Sequence, residues 1–392
     1  MILIITKVLC YHQVYVADDL YSIYGDSFRF IQMREPLDWR VKNKQEGFER
    51  PYLVSLQKEP DKALDLVKKA DVIIFGEAPL KLIKHRKKEC LLFKMSENIF
   101  KNTLSKISAY GRFKRWLSYK YLKILTNNKH SYLLSCGGFA CKDYKKMGVF
   151  NNRALKWGYF PYVPKISLEN IKSKFEDSST INIIWVSRLI KCKNPQYLPE
   201  LVEYLLQKNL HKFHLTIIGN SDESDVDYFE MVKKDVKNRN LSNYITIVGK
   251  VDANKVFDYY SQSHIALFTG DKSEGWSVGL NEAMSCGCAI VASNSIGASP
   301  YLISNENGVV FKNDSLLEFC KATEFLLKQP SVMKEMAINN FQKIHNIWNH
   351  TTAAQHLSSV IDSYLVSKSI VPCENGPCSI ATCMDYDWYK EQ

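Results

Sequence analysis

Two glutamates eight residues apart, Glu274 and Glu282, lie in the run Ser273-Glu-Gly-Trp-Ser-Val-Gly-Leu-Asn-Glu-Ala-Met-Ser-Cys-Gly287. A loop bearing the first carboxylate passes through small residues into a short helix bearing the second. The amides at a helix N-terminus are unpaired and sit at the positive end of the helix dipole, so they attract a phosphate or diphosphate. A carboxylate one turn further in accepts hydrogen bonds from a pair of sugar hydroxyls. The combination suits a compound with a phosphate and a sugar, such as a nucleotide-sugar. Glutamates at this spacing also occur by chance in long helices, and the plainer reading has Glu274 capping the helix and Glu282 solvated. The flanks favour the site. Ile265-Ala-Leu-Phe268 reads as a buried strand entering the loop, and Cys286-Gly-Cys-Ala-Ile-Val-Ala-Ser293 as a helix stop at Gly287 followed by another strand.

A second loop supplies cations. Ile181-Asn-Ile-Ile-Trp-Val186 reads as a strand that empties into Ser187-Arg-Leu-Ile-Lys-Cys-Lys-Asn-Pro195, after which Leu198, Leu201, Val202 and Leu205 mark an amphipathic helix. Arg188 and Lys193 therefore sit in a strand-to-helix loop, where open α/β sheets bind ligands. Arg offers a bidentate fork and Lys a point charge, together suited to a diphosphate. The alternative is two solvated cations in a chain with 52 Lys and Arg.

Val186-Ser-Arg-Leu with Lys193-Asn, and Glu274-Gly-Trp-Ser with Glu282-Ala-Met-Ser-Cys-Gly, together resemble the donor half of glycosyltransferase family 4. These are retaining enzymes of the GT-B architecture, an α/β fold in which two Rossmann-like domains face across a cleft. The match runs from about Ile181 to Phe311. The resemblance implies that Arg188 and Lys193 hold the donor diphosphate, that Glu274 contacts the donor sugar and that Glu282 takes the ribose hydroxyls. It sets the amides of Val278, Gly279 and Leu280 against the phosphates, and Lys250 and Val251, after the strand Ile245–Val248, against the base. It further implies transfer of a hexose from a UDP- or GDP-sugar to a saccharide or lipid-linked acceptor, in cell-surface polysaccharide or glycolipid synthesis. Breaking the sugar–diphosphate bond develops negative charge on the leaving group, which preorganised cations and amides stabilise. No metal or other cofactor is then obligatory. A reading from another class is a nucleotide-sugar-binding or scaffold protein that transfers nothing.

The first half matches less closely. Ile2–Ile5, Asp71–Phe75 and Tyr132–Ser135 read as buried strands, and Pro60–Ala70 as a helix between them, the alternation of a parallel sheet. The family commonly has a Gly-Gly loop after its first strand, where this chain has Cys10-Tyr-His-Gln-Val-Tyr. His12 stands there as a candidate contact for the acceptor or transferred sugar, or as a structural hydrogen-bonder. Glu77, after the strand ending at Phe75, either recognises an acceptor hydroxyl or caps the helix after Pro79.

The chain of 392 residues suggests two domains: an acceptor-binding domain over 1–165, a donor-binding domain over 166–347, and a helix and tail over 348–392 that cross back to the first. The polar run Glu169–Thr180 lacks periodicity and reads as a linker. Met1–Cys10 lacks a basic n-region and reads as a strand rather than a signal segment, and no apolar run reaches eighteen residues. The 11 Cys without a secretory signal point to a reducing, cytoplasmic setting, with Cys286 and Cys288 as small core residues. Net charge is +11, but the first 165 residues carry 31 of the 52 Lys and Arg and only 15 of the 41 Asp and Glu. Within 81–123 the basic residues number 13 against two acidic ones, and Phe113, Trp116, Leu117 and Tyr121 recur at helical spacing. Such a helix suits the headgroups of an anionic membrane, with peripheral binding at the inner face; the competing reading makes the stripe core. No nucleic-acid module is recognisable.

Overall fold

The computed structural model describes residues 1–99, 109–176, 179–221 and 227–391. Its strands are short runs of branched and aromatic residues such as Ile2-Leu-Ile-Ile-Thr6 and Ile265-Ala-Leu-Phe268, buried along their whole length. Runs apolar on both faces belong to parallel sheets with helices on each side. Two such sheets form, and the chain divides into two compact units. The first holds Met1–Tyr162 and Ile347–Asp385; the second holds Val163–Asn346 and Tyr386–Gln392. Two Rossmann-like α/β units are thus present, as the GT-B resemblance implies.

The first sheet contains β1 (Ile2–Thr6), β2 (Phe28–Gln32), β3 (Leu53–Ser55), β4 (Val72–Phe75), β5 (Leu91–Ser96), β6 (Ser131–Cys136) and β7 (Ala154–Trp157), in the order β3-β2-β1-β4-β5-β6-β7. The second contains β8 (Ile181–Val186), β9 (Phe213–Ile218), β10 (Ile245–Gly249), β11 (Ile265–Phe268), β12 (Ala289–Ser293) and β13 (Gly308–Phe311), in the order β10-β9-β8-β11-β12-β13. Every pairing is parallel. In each sheet the order reverses beside its first strand, between β1 and β4 and between β8 and β11. Loops leave on opposite faces at such a switch, and the crevice beyond the strands' carboxyl ends is where α/β sheets take ligands.

One polar stretch departs from expectation. Leu168–Ser173, overlapping the start of the run read as a linker, is a helix closed by a capping box between Ser167 and Asn170. Ile171 is buried, and Lys174 Nζ donates to the carbonyls of Cys286 and Gly287 at 3.0 and 2.7 Å. A single buried isoleucine leaves no periodicity to detect, but caps and a tethered lysine suffice for six residues. The helix His350–Ser367 packs in the first unit, where Tyr24 Oη lies 2.7 Å from Ser358 Oγ and Tyr364 Oη 2.7 Å from His130 Nδ1. The tail then lays Ser379 and Cys378 along β7, through Lys156 N–H to Ser379 O and Cys378 N–H to Lys156 O, both 2.7 Å. Trp388 closes on the second unit, donating to Asn294 O at 2.9 Å. Among the described residues no helix is long and apolar enough to cross a membrane.

Candidate functional site

The switch between β8 and β11 draws two loops together. Thr269, directly after β11, donates its hydroxyl to Lys193 O and accepts from Trp185 Nε1 at 3.0 Å. Asn194 adopts a left-handed conformation (φ 48°) that aims its Nδ2 at Thr269 O, 2.9 Å away. Asp271 N–H reaches Cys192 O at 2.8 Å. These bonds fix the loop of Arg188 and Lys193 against the loop of Glu274. Lys193 Nζ and Glu274 then form an ion pair with the carboxylate almost fully buried. Burying a charge is costly unless it is paired, and this pairing keeps both side chains in one geometry. Two glycines make room. A Cβ on Gly270 would stand 1.6 Å from Glu274 Oε2, and one on Gly219 (φ +139°) 1.8 Å from the carbonyl of Ser187. Gly219, at the end of β9, lets that strand approach the start of the Arg188 loop, where Ser187 N–H bonds Ile218 O and Leu189 N–H bonds Asn220 O, both 3.0 Å.

Beyond Glu274 the chain turns through Ser277 (φ 68°) into the helix Val278–Ser285. Trp276 is wholly buried and donates to Asn281 Oδ1 at 2.7 Å, which anchors the turn. Leu280 N–H is taken by Ser277 O at 3.1 Å, while the amides of Val278 and Gly279 have no backbone acceptor among the described residues. The helix therefore presents two open donors of the three the sequence nominated. Glu282 follows one turn in, half-buried. Arg188 is exposed on its loop, and Lys250 and Val251 lie in the loop after β10, whose Gly249 carbonyl accepts from Gly219 N–H at 2.9 Å. Cys286 and Cys288 are core residues, and burial pushes their thiols up to about 12 and about 11. Asp225-Val-Asp227 is an Asp-x-Asp; Asp227 caps the helix Tyr228–Asn238 through Glu230 N–H, and Asp225 lies outside the described residues. Among the described residues no three His, Cys, Asp or Glu side chains assemble as a metal set.

At the corresponding switch in the first sheet, between β1 and β4, a cavity of about 970 Å³ opens, and both His12 and Glu77 line it. His12 stacks on Tyr159, centroids 4.0 Å apart, with its Nε2 3.3 Å from Cys10 Sγ. Burial lowers its pKa to about 4, against a smaller upward pull from Glu97, so it is neutral at pH 7. Tyr159 is hydrogen-bonded to Glu97 and its hydroxyl is pushed well up by burial. Glu77 does not cap the helix Leu80–Ile83; it is exposed at the rim, 3.7 Å from Lys7 Nζ. Lys94 and Glu97, at the end of β5, also line the cavity, and the sequence reading missed them. The signal available was a lysine and a glutamate closing an otherwise apolar strand, Leu91-Leu-Phe-Lys-Met-Ser96.

The basic stretch is divided in use. Arg86 Nη2 donates to Leu125 O at 2.7 Å and Lys87 pairs with Asp71 at 2.7 Å. On the helix Ala109–Thr126, Trp116, Leu117 and Ile124 face outward at 53, 44 and 67 % exposure, while Leu122 and Thr126 are buried. Trp116 and Leu117 are therefore not core. Lys120 Nζ lies 5.0 Å over the Trp116 ring, and the Phe113 side chain falls outside the described residues.

With that geometry in place, comparison with known proteins shows what the second unit is similar to. Residues 167–343 match the family model of Glycosyl transferases group 1. Every residue tied together at the β8/β11 switch falls within that span. An uncharacterized glycosyltransferase of Methanocaldococcus jannaschii is 30% identical over 177 residues, 45% of this chain and 41% of that protein. The capsular polysaccharide biosynthesis glycosyltransferase CapH of Staphylococcus aureus is 26% identical over 161 residues, 40% of this chain and 43% of CapH. The chain thus matches less than half the length of each of these relatives. Among solved structures, Anabaena HepE, crystallised with UDP, superposes with a TM-score of 0.66 at 14% identity, over 93% of this chain and all of HepE. That likeness is one of fold, and it extends the GT-B architecture to both units.

Proposed function

We propose that the protein is a group 1 glycosyltransferase that moves a hexose, with retention, from a nucleotide-diphosphate sugar to a saccharide or lipid-linked acceptor. The observation that carries the reading is the Lys193–Glu274 pair, joining the loop that carries Arg188 to the loop that leads into a helix with two open amides, within the stretch that matches the family model. In this reading the diphosphate sits on the amides of Val278 and Gly279, with Arg188 and Lys193 against the charge that develops as the sugar bond breaks. Glu274 holds Lys193 in place and accepts from a sugar hydroxyl; Glu282 accepts from the ribose; Lys250 and Val251 flank the base. The acceptor oxygen bonds the anomeric carbon as the carbon–oxygen bond to the diphosphate breaks, and its proton passes to the departing phosphate oxygen. HepE, of like fold, binds UDP, and CapH belongs to capsular polysaccharide synthesis, which supports a uridine donor and a saccharide acceptor. The cavity of the first unit is the acceptor side, with His12 and Glu77 on its wall. The outward apolar residues of the helix Ala109–Thr126, among many cations, suit an anionic bilayer at the inner membrane face.

Calorimetric titration of the purified chain with UDP, GDP and ADP tests the donor assignment. One nucleotide binding, and weakening in Glu282→Ala, is the expected result. No binding by any nucleotide overturns it; binding without product in the presence of donor sugar and acceptors favours a scaffold.

A further inference from the structure

Lys94 closes β5 inside the cavity of the first unit, and its Nζ donates to two neutral acceptors, Gly76 O at 2.7 Å and Met95 O at 3.4 Å. Among the described residues no carboxylate lies within ion-pair distance of it. The carboxylates nearby are committed elsewhere. Glu46, buried, takes Arg34 through both oxygens at 2.9 and 2.8 Å and Arg40 at 3.2 Å, so two guanidiniums share one negative charge. Glu97 is bonded to Tyr159, and Glu77 sits at the exposed rim beside Lys7. His12 is neutral. The cavity wall therefore carries an ammonium lacking a counter-ion and a guanidinium pair with one charge unbalanced, and Arg40 Nε is buried without a partner. Lys94 is half-buried, with its Nζ also 5.1 Å over the Phe75 ring. A partly desolvated cation with no counter-ion is costly to keep, and a cavity beside it marks a place where a ligand supplies the missing charge.

We propose that this cavity takes an acceptor bearing an acid group, carboxylate or phosphate, seated against Lys94 Nζ. The inference rests on the glycosyltransferase reading and names the acceptor class for it. Burial lowers Lys94 to about 8, with Cys136 and Glu77 the titratable groups that act on it, both in the opposite direction. Lys94 is thus charged at pH 7 and loses its charge within an accessible range, which gives the test a readout that a structural lysine lacks.

The full chain is titrated by calorimetry with methyl glucoside, methyl glucuronate and glucose 6-phosphate, in wild type, Lys94→Met and Lys94→Arg. At pH 7 at least one acid probe is expected to bind about tenfold tighter than the neutral glycoside, the worth of a charge-assisted contact. Whichever acid wins separates carboxylate from phosphate. The preference is expected to vanish in Lys94→Met, persist in Lys94→Arg and shrink as pH rises through about 8. Equal affinity for neutral and acid probes, or a preference surviving in Lys94→Met, overturns the proposal. UDP titration of the same samples keeps the two readings apart. UDP binding with no acid preference sinks this inference alone; acid preference with no nucleotide binding sinks the transferase reading alone.

Discussion

At the switch between β8 and β11 the second unit ties two loops into one rigid frame, with a cation and a carboxylate already paired at its centre. At the switch between β1 and β4 the first unit opens a cavity whose wall holds a cation with carbonyls and an aromatic face but no carboxylate partner among the described residues. The topological position is the same. The difference teaches what each side has to meet. On the proposed reading the second unit meets a nucleoside diphosphate, an invariant polyanion, and a site preorganised by short local bonds suits it. On the same reading the first unit meets an acceptor, which varies, and a roomy pocket lined from several strand ends adapts by changing single side chains.

The sharpest way to break the comparison is to strip charge from the rigid site alone. Arg188→Ala is expected to lower turnover about 100-fold, the usual cost of losing one preorganised donor in a transition state, with acid-probe binding at the first unit unchanged. Steady-state kinetics beside the probe titration checks this, and unchanged turnover removes Arg188 from the chemistry. Glu282→Ala is expected to weaken nucleotide binding about tenfold, since a hydrogen bond to a charged group contributes that order of affinity. A comparable loss of probe binding at the cavity would erase the distinction between the two sites. Gly219→Ala forces a Cβ into the Ser187 carbonyl and is expected to lower Tm by roughly 5 °C, as a strain near 2 kcal/mol does in a domain of this size. Scanning calorimetry should place that shift in the second unit's transition; a shift confined to the first unit would contradict the close approach.

Acid treats the two units alike through different histidines, and so separates them by mutation. Burial lowers His12 to about 4 and also depresses His264, whose Nδ1 accepts from Asn182 N–H at 2.9 Å. Below the unfolded value the unfolded chain binds a proton that the folded chain lacks, so stability falls as pH falls, for His12 from about 6.5 towards 4 and for His264 in the same direction. His12→Phe is expected to flatten that dependence for the first unit only, as read by melting curves across this range; an unaltered slope would mean His12 is not held neutral. The smallest expected effect is at the outward helix. Replacing Trp116 and Leu117 by Ser is expected to reduce sedimentation with anionic vesicles severalfold while leaving nucleotide binding intact. Equal sedimentation would detach that face from any bilayer.

Legibility followed the number of segments a feature draws on. Ile181–Val186 and Ile265–Phe268 are strands with the bounds the sequence suggested, because the buried stretch of a parallel strand is a continuous apolar run, Ile183–Trp185 in the first and all of the second. Pro60–Lys69 begins where its proline says it should. The helix Leu168–Ser173 escaped notice because a capping box and one buried isoleucine hold it, and neither produces a period. Trp116 and Leu117, equally suited to core or surface by spacing, are on the surface because Leu122 is the residue the helix turns inward.

By itself the sequence determined the two α/β units and the residues carried by contiguous motifs: Arg188 and Lys193 on one loop, Glu274 and Glu282 on another loop and the helix it enters. Residues a few positions apart on one loop or helix stay together whatever surrounds them. Only the tertiary structure decided that Lys193 pairs with Glu274, that Gly270 and Gly219 are the spaces this requires, and that Leu280's amide is already taken. It alone brought Lys94, Glu97, Tyr159 and His12 to one cavity. Those contacts join strand ends separated by tens to more than a hundred residues, and their partners are set by sheet order and register, which no local spacing encodes.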